Sequence, residues 1–297
     1  MGPTTTDAEI ASQPALWRLA SDAAPTLASS LLASGERVLA IGCGTSAFVA
    51  QCYAALRESA GLGWTDWAYA SELPRTHGYD RVVALTRSGT TSEVRSALDR
   101  FTGVARRVAV TAVPGAIAAH ADEIVDLEWA DEQSVVQTRF PTSLLALVRA
   151  GLGEDLTSAV ADAQRVLAEP LPVAPAEFDH FVCLGHGWTV GLAHEAALKI
   201  RESAQAWAES YPALDYRHGP VAVAGGRTLV QVIGDVPPDL VADVRAVGAT
   251  VLDQPGDPLA QLVTAQRVAV ELAAARGLDP DHPRNLTRSV VLDSLPN

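Results

Sequence analysis

The chain has 297 residues, of which 48% are hydrophobic, so it can bury a substantial core in one large module or in two. Its formal net charge of -13 argues against nucleic acid and against an anionic membrane surface, because both require a basic footprint. No apolar run reaches the length of a membrane span, no signal peptide is predicted, and the three cysteines show neither metal-ligand spacing nor a disulfide framework. We therefore expect a cytoplasmic protein with no metal and no cofactor.

Short β-branched runs alternate with Ala- and Leu-rich stretches along the chain. The runs that predict strands lie at 37–42, 81–86, 106–113, 123–129, 180–187, 228–234 and 250–255. The stretches that predict helices lie at 45–61, 91–101, about 142–167, 189–208 and 258–277. Strands that alternate with helices predict βαβ units and parallel sheets.

This pattern occurs twice, on either side of a proline-rich stretch whose prolines break helices and stiffen the joint. Each half begins with an apolar strand that ends in Gly-x-Gly, at 42–44 and at 185–187. We predict an α/β fold of two tandem doubly wound, flavodoxin-like modules, each a mainly parallel sheet flanked by helices. The expected boundaries are 1–168 for the first module with an N-terminal helix, 169–176 for the linker and 177–297 for the second module.

Hydroxyl-bearing residues follow two of the predicted strands. They are Thr45 and Ser46 after Gly44, and Thr86, Ser88 and Thr91 around the next glycine. Glycine lets the backbone approach a ligand closely, and a helix N-terminus offers free N–H groups to an anion. The alternative is that these residues only cap the helices. Two such loops at the carboxyl ends of neighbouring strands favour a phosphate site, which needs few basic residues and so suits an acidic protein.

A candidate for proton transfer lies on the predicted helix 189–208. Glu195, Lys199 and Glu202 are spaced by four and three residues, so they share one helical face. An exposed ion-pair stripe is the usual meaning of such spacing and remains an alternative. The surrounding alanines and leucines favour a cleft, in which a carboxylate near a lysine can move a proton between adjacent carbons of an open-chain sugar. His218 follows at a Gly-Pro turn and is a candidate for the proton transfer that opens a sugar ring.

At these residues the chain resembles the double-module sugar isomerase (SIS) proteins. It is similar to the isomerase half of glucosamine-6-phosphate synthase and to stand-alone aminosugar-phosphate deaminases and fructosamine-phosphate deglycases. The segments that carry the resemblance are GCGTS (42–46), TRSGTTSE (86–93), SVVQTR (134–139), HEAALKIRES (194–203), WAESYPALDYRHGP (207–220) and DHPRNLTRSVVL (281–292). The last three together are highly specific.

The resemblance implies a sugar phosphate as substrate and assigns roles by position. The residues expected to bind the phosphate or the substrate are Gly44, Thr45, Ser46, Thr86, Arg87, Ser88, Thr91 and Val135. Glu202 is implied as the base that moves a proton between C1 and C2, with Lys199 supporting it and Glu195 orienting the helix or the substrate. His218 is implied to assist ring opening and, in the family, reaches into the neighbouring subunit's site, so we expect a homodimer or a higher homo-oligomer.

One of the catalytic candidates, Arg288, departs from the family's pattern. Arg288 lies where the synthases carry a lysine that forms a Schiff base, and a guanidinium cannot form that imine. An aminosugar phosphate brings its own nitrogen, so our first hypothesis is a deaminase of the glucosamine-6-phosphate type that uses a C1–C2 proton shift. A fructosamine-6-phosphate deglycase, a plain aldose–ketose isomerase and a non-catalytic sugar-phosphate sensor remain alternatives, whereas a synthase is not expected.

Overall fold

The structure is a computed structural model that describes residues 2–73 and 77–293. Its strands are β1 (Val38–Gly42), β2 (Thr65–Tyr69), β3 (Arg81–Leu85), β4 (Arg106–Thr111), β5 (Glu123–Asp126), β6 (His180–Gly185), β7 (Trp207–Pro212), β8 (Thr228–Ile233) and β9 (Thr250–Leu252). Its α-helices are α1 (Thr5–Leu27), α2 (Thr45–Ser59), α3 (Ser92–Asp99), α4 (Pro114–Ile117), α5 (Arg139–Gly151), α6 (Thr157–Ala168), α7 (Thr189–Ala204), α8 (Pro238–Ala246) and α9 (Pro258–Ala275). Short 3-10 helices lie at Ala28–Ser30, Ala118–His120, Glu128–Ala130, Pro175–Glu177, Ala213–His218 and Pro220–Val223.

The strands form two parallel sheets with related topologies. The first sheet has the order β2-β1-β3-β4-β5 and the second has the order β7-β6-β8-β9. All five residues of β1 and of β3 are buried, which is typical of parallel strands that are covered on both faces. The strand order changes direction between β1 and β3 in the first sheet and between β6 and β8 in the second. Ligands of doubly wound folds bind at the carboxyl ends of the two strands on either side of such a switch point. The predicted α/β fold with two parallel sheets flanked by helices is confirmed.

The chain divides into two compact units that differ from the predicted boundaries 1–168, 169–176 and 177–297. The first-sheet unit comprises residues 15–156 and 287–293, and the second-sheet unit comprises residues 2–14 and 157–286. Both units are therefore discontinuous in sequence, because two segments of the chain pack with the sheet that is farther away in sequence.

Hydrogen bonds explain both departures. In the second-sheet unit, the backbone N–H groups of Thr5 and Thr6 donate to the Asp281 carboxylate at 2.7 Å and 2.8 Å. In the first-sheet unit, the backbone N–H of Ser92 donates to the carbonyl of Val290 at 3.2 Å, and the N–H of Leu292 donates to Ser92 Oγ at 2.9 Å. Contacts of this kind join residues far apart in sequence, so a reading of composition along the chain does not reveal them.

The sequence patterns missed two edge strands and misplaced two helix ends. Strands β2 and β7 lie at the edges of their sheets, where only one side is paired and several residues are half-buried or exposed, so the continuous apolar signal is lost. The helix predicted over 189–208 ends at Ala204, because Gln205 adopts the left-handed conformation with φ of 50°. The long helix predicted over about 142–167 is two helices, α5 and α6, with Gly153 at φ of +91° between them.

Candidate active site

Glycines allow a helix to start directly above the end of the first strand of each sheet. A Cβ atom on Gly42 would lie 2.4 Å from the carbonyl carbon of Ser46, and a Cβ atom on Gly185 would lie 2.2 Å from the carbonyl oxygen of Thr189. Real Cβ atoms essentially never approach backbone this closely, so only glycine fits at both positions. In the first sheet this contact places Ser46, in the first turn of α2, over the carboxyl end of β1.

The loop between β3 and α3 is fixed by its own hydrogen bonds. Gly89 adopts the left-handed conformation with φ of +66°, and its N–H donates to Thr86 Oγ1 at 3.2 Å. Arg95 Nε donates to the Gly89 carbonyl at 2.9 Å. The Ser88 hydroxyl oxygen accepts from the N–H of Thr90 at 3.3 Å. These bonds hold the hydroxyl groups of the loop at the carboxyl end of β3.

The two loops converge on one small cavity, which we call the anion cavity. Its lining residues are Cys43, Ser46, Leu85, Thr86, Arg87, Ser88, Thr91, Val94, Gln137 and Arg288. Its volume of about 30 Å³ has room for a few atoms, so that only one end of a ligand enters it. Helices α2 and α3 begin at its wall, and the positive ends of their dipoles favour an anion.

Most of the predicted binding residues therefore meet, although not all of them line the cavity. Ser46, Thr86, Arg87, Ser88 and Thr91 belong to the lining. Gly44 and Thr45 lie in the turn that leads into α2, with Gly44 as its N-cap at φ of 52°. Val135 lies half-buried in the loop before α5, outside the residues that line the anion cavity.

Arg87 directs its guanidinium towards protein backbone. It is 2% exposed, and its Nη atoms donate to the carbonyl of Ser134 at 2.7 Å and to the carbonyl of Arg288 at 3.0 Å. The same group lies 3.9 Å from the Glu132 carboxylate. Arg87 therefore connects the loop before α5 and the segment 287–293 to the anion cavity.

Glu132, which the sequence patterns missed, caps helix α5. Its carboxylate is 1% exposed and accepts from the N–H of Thr138 at 2.5 Å, from the Thr138 hydroxyl at 2.8 Å and from the N–H of Arg139 at 2.8 Å. A carboxylate at a helix N-terminus is stabilised by the helix dipole and pairs N–H groups that have no partner within the helix. Glu132 therefore fixes the backbone on the helix side of Gln137. The sequence patterns did not predict Gln137 as a site residue either. An acidic residue seven positions before the helix is the only sequence signal for this cap.

Arg288 and Cys43 line the anion cavity but lack the chemistry of a nucleophile. An Nη atom of Arg288 donates to Asp131 Oδ1 at 2.5 Å, and the other donates to the Glu132 carbonyl. Burial raises the pKa of the Cys43 thiol to about 11, and the neighbouring Glu93 carboxylate raises it too, so the thiol is protonated at neutral pH. Arg288 thus contributes a paired guanidinium to this wall, and no imine can form there.

Glu195, Lys199 and Glu202 form a line of charges inside the second-sheet unit. Lys199 Nζ lies 3.2 Å from Glu195 Oε1 and 2.7 Å from Glu202 Oε2. The side chains of Glu195 and Lys199 are each 1% exposed, whereas that of Glu202 is 19% exposed. This burial excludes the alternative of an exposed ion-pair stripe. Glu202 is the carboxylate of the line that a substrate can reach.

Two opposing effects set the proton affinity of Lys199. Burial lowers the pKa of its ammonium group, but the charges of Glu195 and Glu202 and their hydrogen bonds outweigh burial, so the pKa lies above its ordinary value. Lys199 is therefore a cation at neutral pH and a poor amine nucleophile. It donates to Glu202, the carboxylate that faces solvent, and holds that carboxylate in place.

His218 lies at the end of the 3-10 helix Ala213–His218 in the same unit and is exposed. Its neighbour Arg217 is held by Asp239 at 2.7 Å and by Asp243 at 2.8 Å. Across residues 2–73 and 77–293, no three potential metal ligands of the His, Cys, Asp and Glu types lie together. Within the same residues, no helix is long and apolar enough to cross a membrane.

The geometry can be compared with known proteins. The chain is 29% identical to glutamine–fructose-6-phosphate aminotransferase [isomerizing] of Gloeobacter violaceus over 90% of its own length, and 29% identical to that of Aeropyrum pernix over 92%. In both cases it spans about half of the relative, 54% of its length. Its fold matches the C-terminal domain of glucosamine-fructose-6-phosphate aminotransferase from Francisella tularensis with a TM-score of 0.72, covering 94% of this chain and 98% of that one. The chain is homologous to the SIS domain of these aminotransferases.

Solved structures of separate enzymes share the SIS fold over nearly the whole chain. Glucosamine-6-phosphate deaminase from Thermotoga maritima is 25% identical, with a TM-score of 0.82 and coverage of 97% of this chain and 100% of that one. Tagatose-6-phosphate ketose/aldose isomerase from Escherichia coli is 20% identical, with a TM-score of 0.78 and coverage of 95% and 98%, which shows the fold alone. No family model matches the sequence. The resemblance to SIS proteins that the motifs predicted is confirmed.

Proposed function

We propose that this protein is a phosphosugar enzyme that moves a proton between C1 and C2 of an open-chain substrate. We further propose that the substrate is an aminosugar 6-phosphate of the glucosamine-6-phosphate type, which the enzyme deaminates. The observation that carries the proposal is the buried line of Glu195, Lys199 and Glu202, which ends in one partly exposed carboxylate. The similarity to the Thermotoga maritima glucosamine-6-phosphate deaminase over its full length supports the choice of reaction.

The proposed chemistry uses one carboxylate twice. The Glu202 carboxylate takes the proton from C2 of the open aldehyde; the electron pair of that C–H bond forms the C1–C2 double bond, and the carbonyl electron pair moves to O1, which gives the enolate of an enolamine. The resulting carboxylic acid returns the proton to C1, and one N–H proton passes to O1 through water, which leaves a hydroxyl at C1 and a ketimine at C2. Water then adds to the ketimine, and the C–N bond breaks to give a ketose phosphate and ammonia. No protein imine takes part, because Arg288 cannot form one and Lys199 is held as a cation.

The phosphate is proposed to enter the anion cavity of the first-sheet unit. Ser46, Ser88 and Thr91 offer hydroxyl groups there, and helices α2 and α3, which begin at the cavity wall, contribute the positive ends of their dipoles. A phosphate far from the reacting carbons is bound about equally in the ground state and in the transition state. Ser88→Ala is therefore expected mainly to raise KM, with kcat little changed.

A panel of substrates tests the proposed function. Glucosamine 6-phosphate is expected to release ammonia and to yield a ketose phosphate. Amine release from a 6-phosphorylated ketosamine instead identifies a deglycase, and interconversion of aldose and ketose 6-phosphates without nitrogen identifies an isomerase. If the protein binds these compounds and converts none of them, it is a sensor and the catalytic proposal is wrong.

Substitution of Glu202 tests the proton shuttle directly. Glu202→Gln keeps the shape of the side chain but cannot accept a proton from carbon, so kcat should fall on the order of 10²–10⁴-fold while substrate binding persists. Glu271→Gln, at an exposed glutamate of helix α9, is the matched control and should keep full activity. In deuterated water, the product of the unmodified enzyme should carry deuterium at C1. A Glu202→Gln enzyme with normal kcat would contradict the mechanism.

His218 is proposed to act in the site of a second copy of this chain, as the resemblance to the family implies. The test mixes two inactive variants, Glu202→Gln and His218→Asn, by co-expression. If His218 acts in the active site of the partner subunit, each mixed dimer contains one site in which both Glu202 and His218 are intact. Random pairing of equal amounts then restores about a quarter of the activity of the unmodified enzyme. If His218 serves its own chain, every site of the mixture lacks one residue and no activity returns.

A further inference from the structure

One polar group in the anion cavity has no role in the proposed chemistry. Gln137 lines the cavity together with Ser46, Ser88 and Thr91. Its side-chain oxygen Oε1 is buried and receives no hydrogen bond from the residues that the structure describes. A buried acceptor without a donor is unfavourable, and in native proteins such an atom usually meets a partner supplied from outside.

The backbone on both sides of Gln137 is fixed, so the residue keeps its position in the loop that lines the cavity. On the helix side, the Glu132 carboxylate accepts from the N–H groups of Thr138 and Arg139, at 2.5 Å and 2.8 Å. On the other side, the Ser134 carbonyl accepts from Arg87 at 2.7 Å. Because these partners are buried charged groups, the loop is strongly held and Gln137 keeps its place in the lining.

The chemistry of a carboxamide oxygen limits what it can recognise. This oxygen only accepts hydrogen bonds, and a phosphate dianion has no proton to donate. The hydroxyl groups of the cavity and the positive ends of the two helix dipoles suit the phosphate. The acceptor therefore suits a hydroxyl that enters with the phosphate. Gln137 lines the same small cavity as Ser46, Ser88 and Thr91, so this hydroxyl must be close to the phosphoryl group.

We propose that Gln137 is a specificity-determining residue that accepts a hydrogen bond from the hydroxyl on the carbon next to the phosphorylated carbon. In a hexose 6-phosphate this is the C5 hydroxyl. The inference rests on the proposed function, because it places the phosphate of the substrate in the anion cavity. It extends that function by making the protein select polyhydroxylated phosphates over simple phosphate esters.

Calorimetric titration with three ligands that the enzyme cannot convert tests this inference. The ligands are a hexitol 6-phosphate, its 5-deoxy analogue and inorganic phosphate. The unmodified protein should bind the hexitol 6-phosphate about tenfold more tightly than the 5-deoxy analogue, which is the loss expected for one unpaired buried acceptor. Gln137→Met has a similar shape without the acceptor and should abolish this preference, while the Kd for inorganic phosphate changes less than about twofold. Gln133→Met, at an exposed glutamine of the same loop, is the control and should keep the preference.

The outcomes separate this inference from the proposed function. If Gln137→Met still binds the hexitol 6-phosphate more tightly than its 5-deoxy analogue, Gln137 does not bind the hydroxyl and only this inference fails. If Gln137→Met weakens all three ligands equally, the amide contacts the phosphate itself, which also overturns the inference. If the unmodified protein binds none of the three, the phosphate site is wrong and both proposals fail. Thermal unfolding of each variant verifies that it is folded before titration.

Discussion

Lys199→Met should destabilise the protein strongly, because it removes the positive charge that lies between the carboxylates of Glu195 and Glu202. Glu195 is 0% exposed and its Oε1 lies 3.2 Å from Lys199 Nζ, whereas Glu202 is partly exposed and is screened by water. Removing one partner of a buried ion pair leaves an uncompensated charge and costs about 3–5 kcal/mol. Urea unfolding followed by tryptophan fluorescence measures this loss as a change in the free energy of unfolding.

The loss should depend on pH in a defined direction. Without Lys199, burial should raise the pKa of Glu195 in the folded variant above its unfolded value of about 4.3. Between these two pKa values the folded state binds more protons than the unfolded state, so the variant loses stability as the pH rises, by about 1.4 kcal/mol per pH unit. The difference in free energy of unfolding between the variant and the unmodified protein should therefore be smallest at acid pH.

A second substitution serves as the control for this argument. Glu195→Gln together with Lys199→Met removes the buried charge and should recover most of the loss, with little dependence on pH. A deficit of less than about 1 kcal/mol for Lys199→Met that is equal at acid and neutral pH would refute the reasoning, because it would mean that Glu195 does not need the lysine as its counter-charge.

Two further predictions concern the anion cavity. Gly89→Ala should destabilise the protein by about 1–3 kcal/mol in urea unfolding, because the left-handed backbone is strained with a side chain and the new Cβ would lie 3.0 Å from the Cβ of Ala116. Gly103→Ala, at a left-handed glycine with open space around it, is the control and should cost less. Arg87→Gln should weaken the docking of the segment 287–293, because the glutamine side chain is shorter and uncharged and so loses the hydrogen bond to the Arg288 carbonyl. Amide hydrogen exchange within residues 287–293 should therefore become faster. Unchanged exchange in Arg87→Gln, or equal costs for the two glycine variants, would contradict these expectations.

The sequence predicted the elements whose signal is local. Strand β1 is a continuous apolar run that ends in glycine, and helix α2 follows it directly, so both could be found from neighbouring residues. The spacing of Glu195, Lys199 and Glu202 predicted a shared face correctly. Spacing could not show that the first two are buried, because burial depends on the elements that cover the helix.

The missing parts of the candidate site depend on contacts between distant segments. Arg288 reaches the anion cavity across 201 positions of sequence from Arg87, and nothing near either residue indicates this contact. The motif around Arg87 suggested a ligand contact, whereas the structure shows one N–H of each Nη atom bound to a carbonyl group. The sequence could not identify Gln137 as a residue of the anion cavity either, because its position depends on the capping of α5 by Glu132.

The discontinuity of the first-sheet unit affects how the protein matures on the ribosome. Domains generally begin to fold as they emerge during synthesis, so residues 15–156 can form their sheet while residues 157–286 are still being made. Arg288, which completes the wall of the anion cavity, is translated only after that whole intervening stretch. The nascent unit therefore passes through a stage in which its sheet exists but its anion cavity is open on one side. The cavity wall is complete only after the later segment has docked, so the anion binding that we propose for this cavity would be acquired late in biosynthesis.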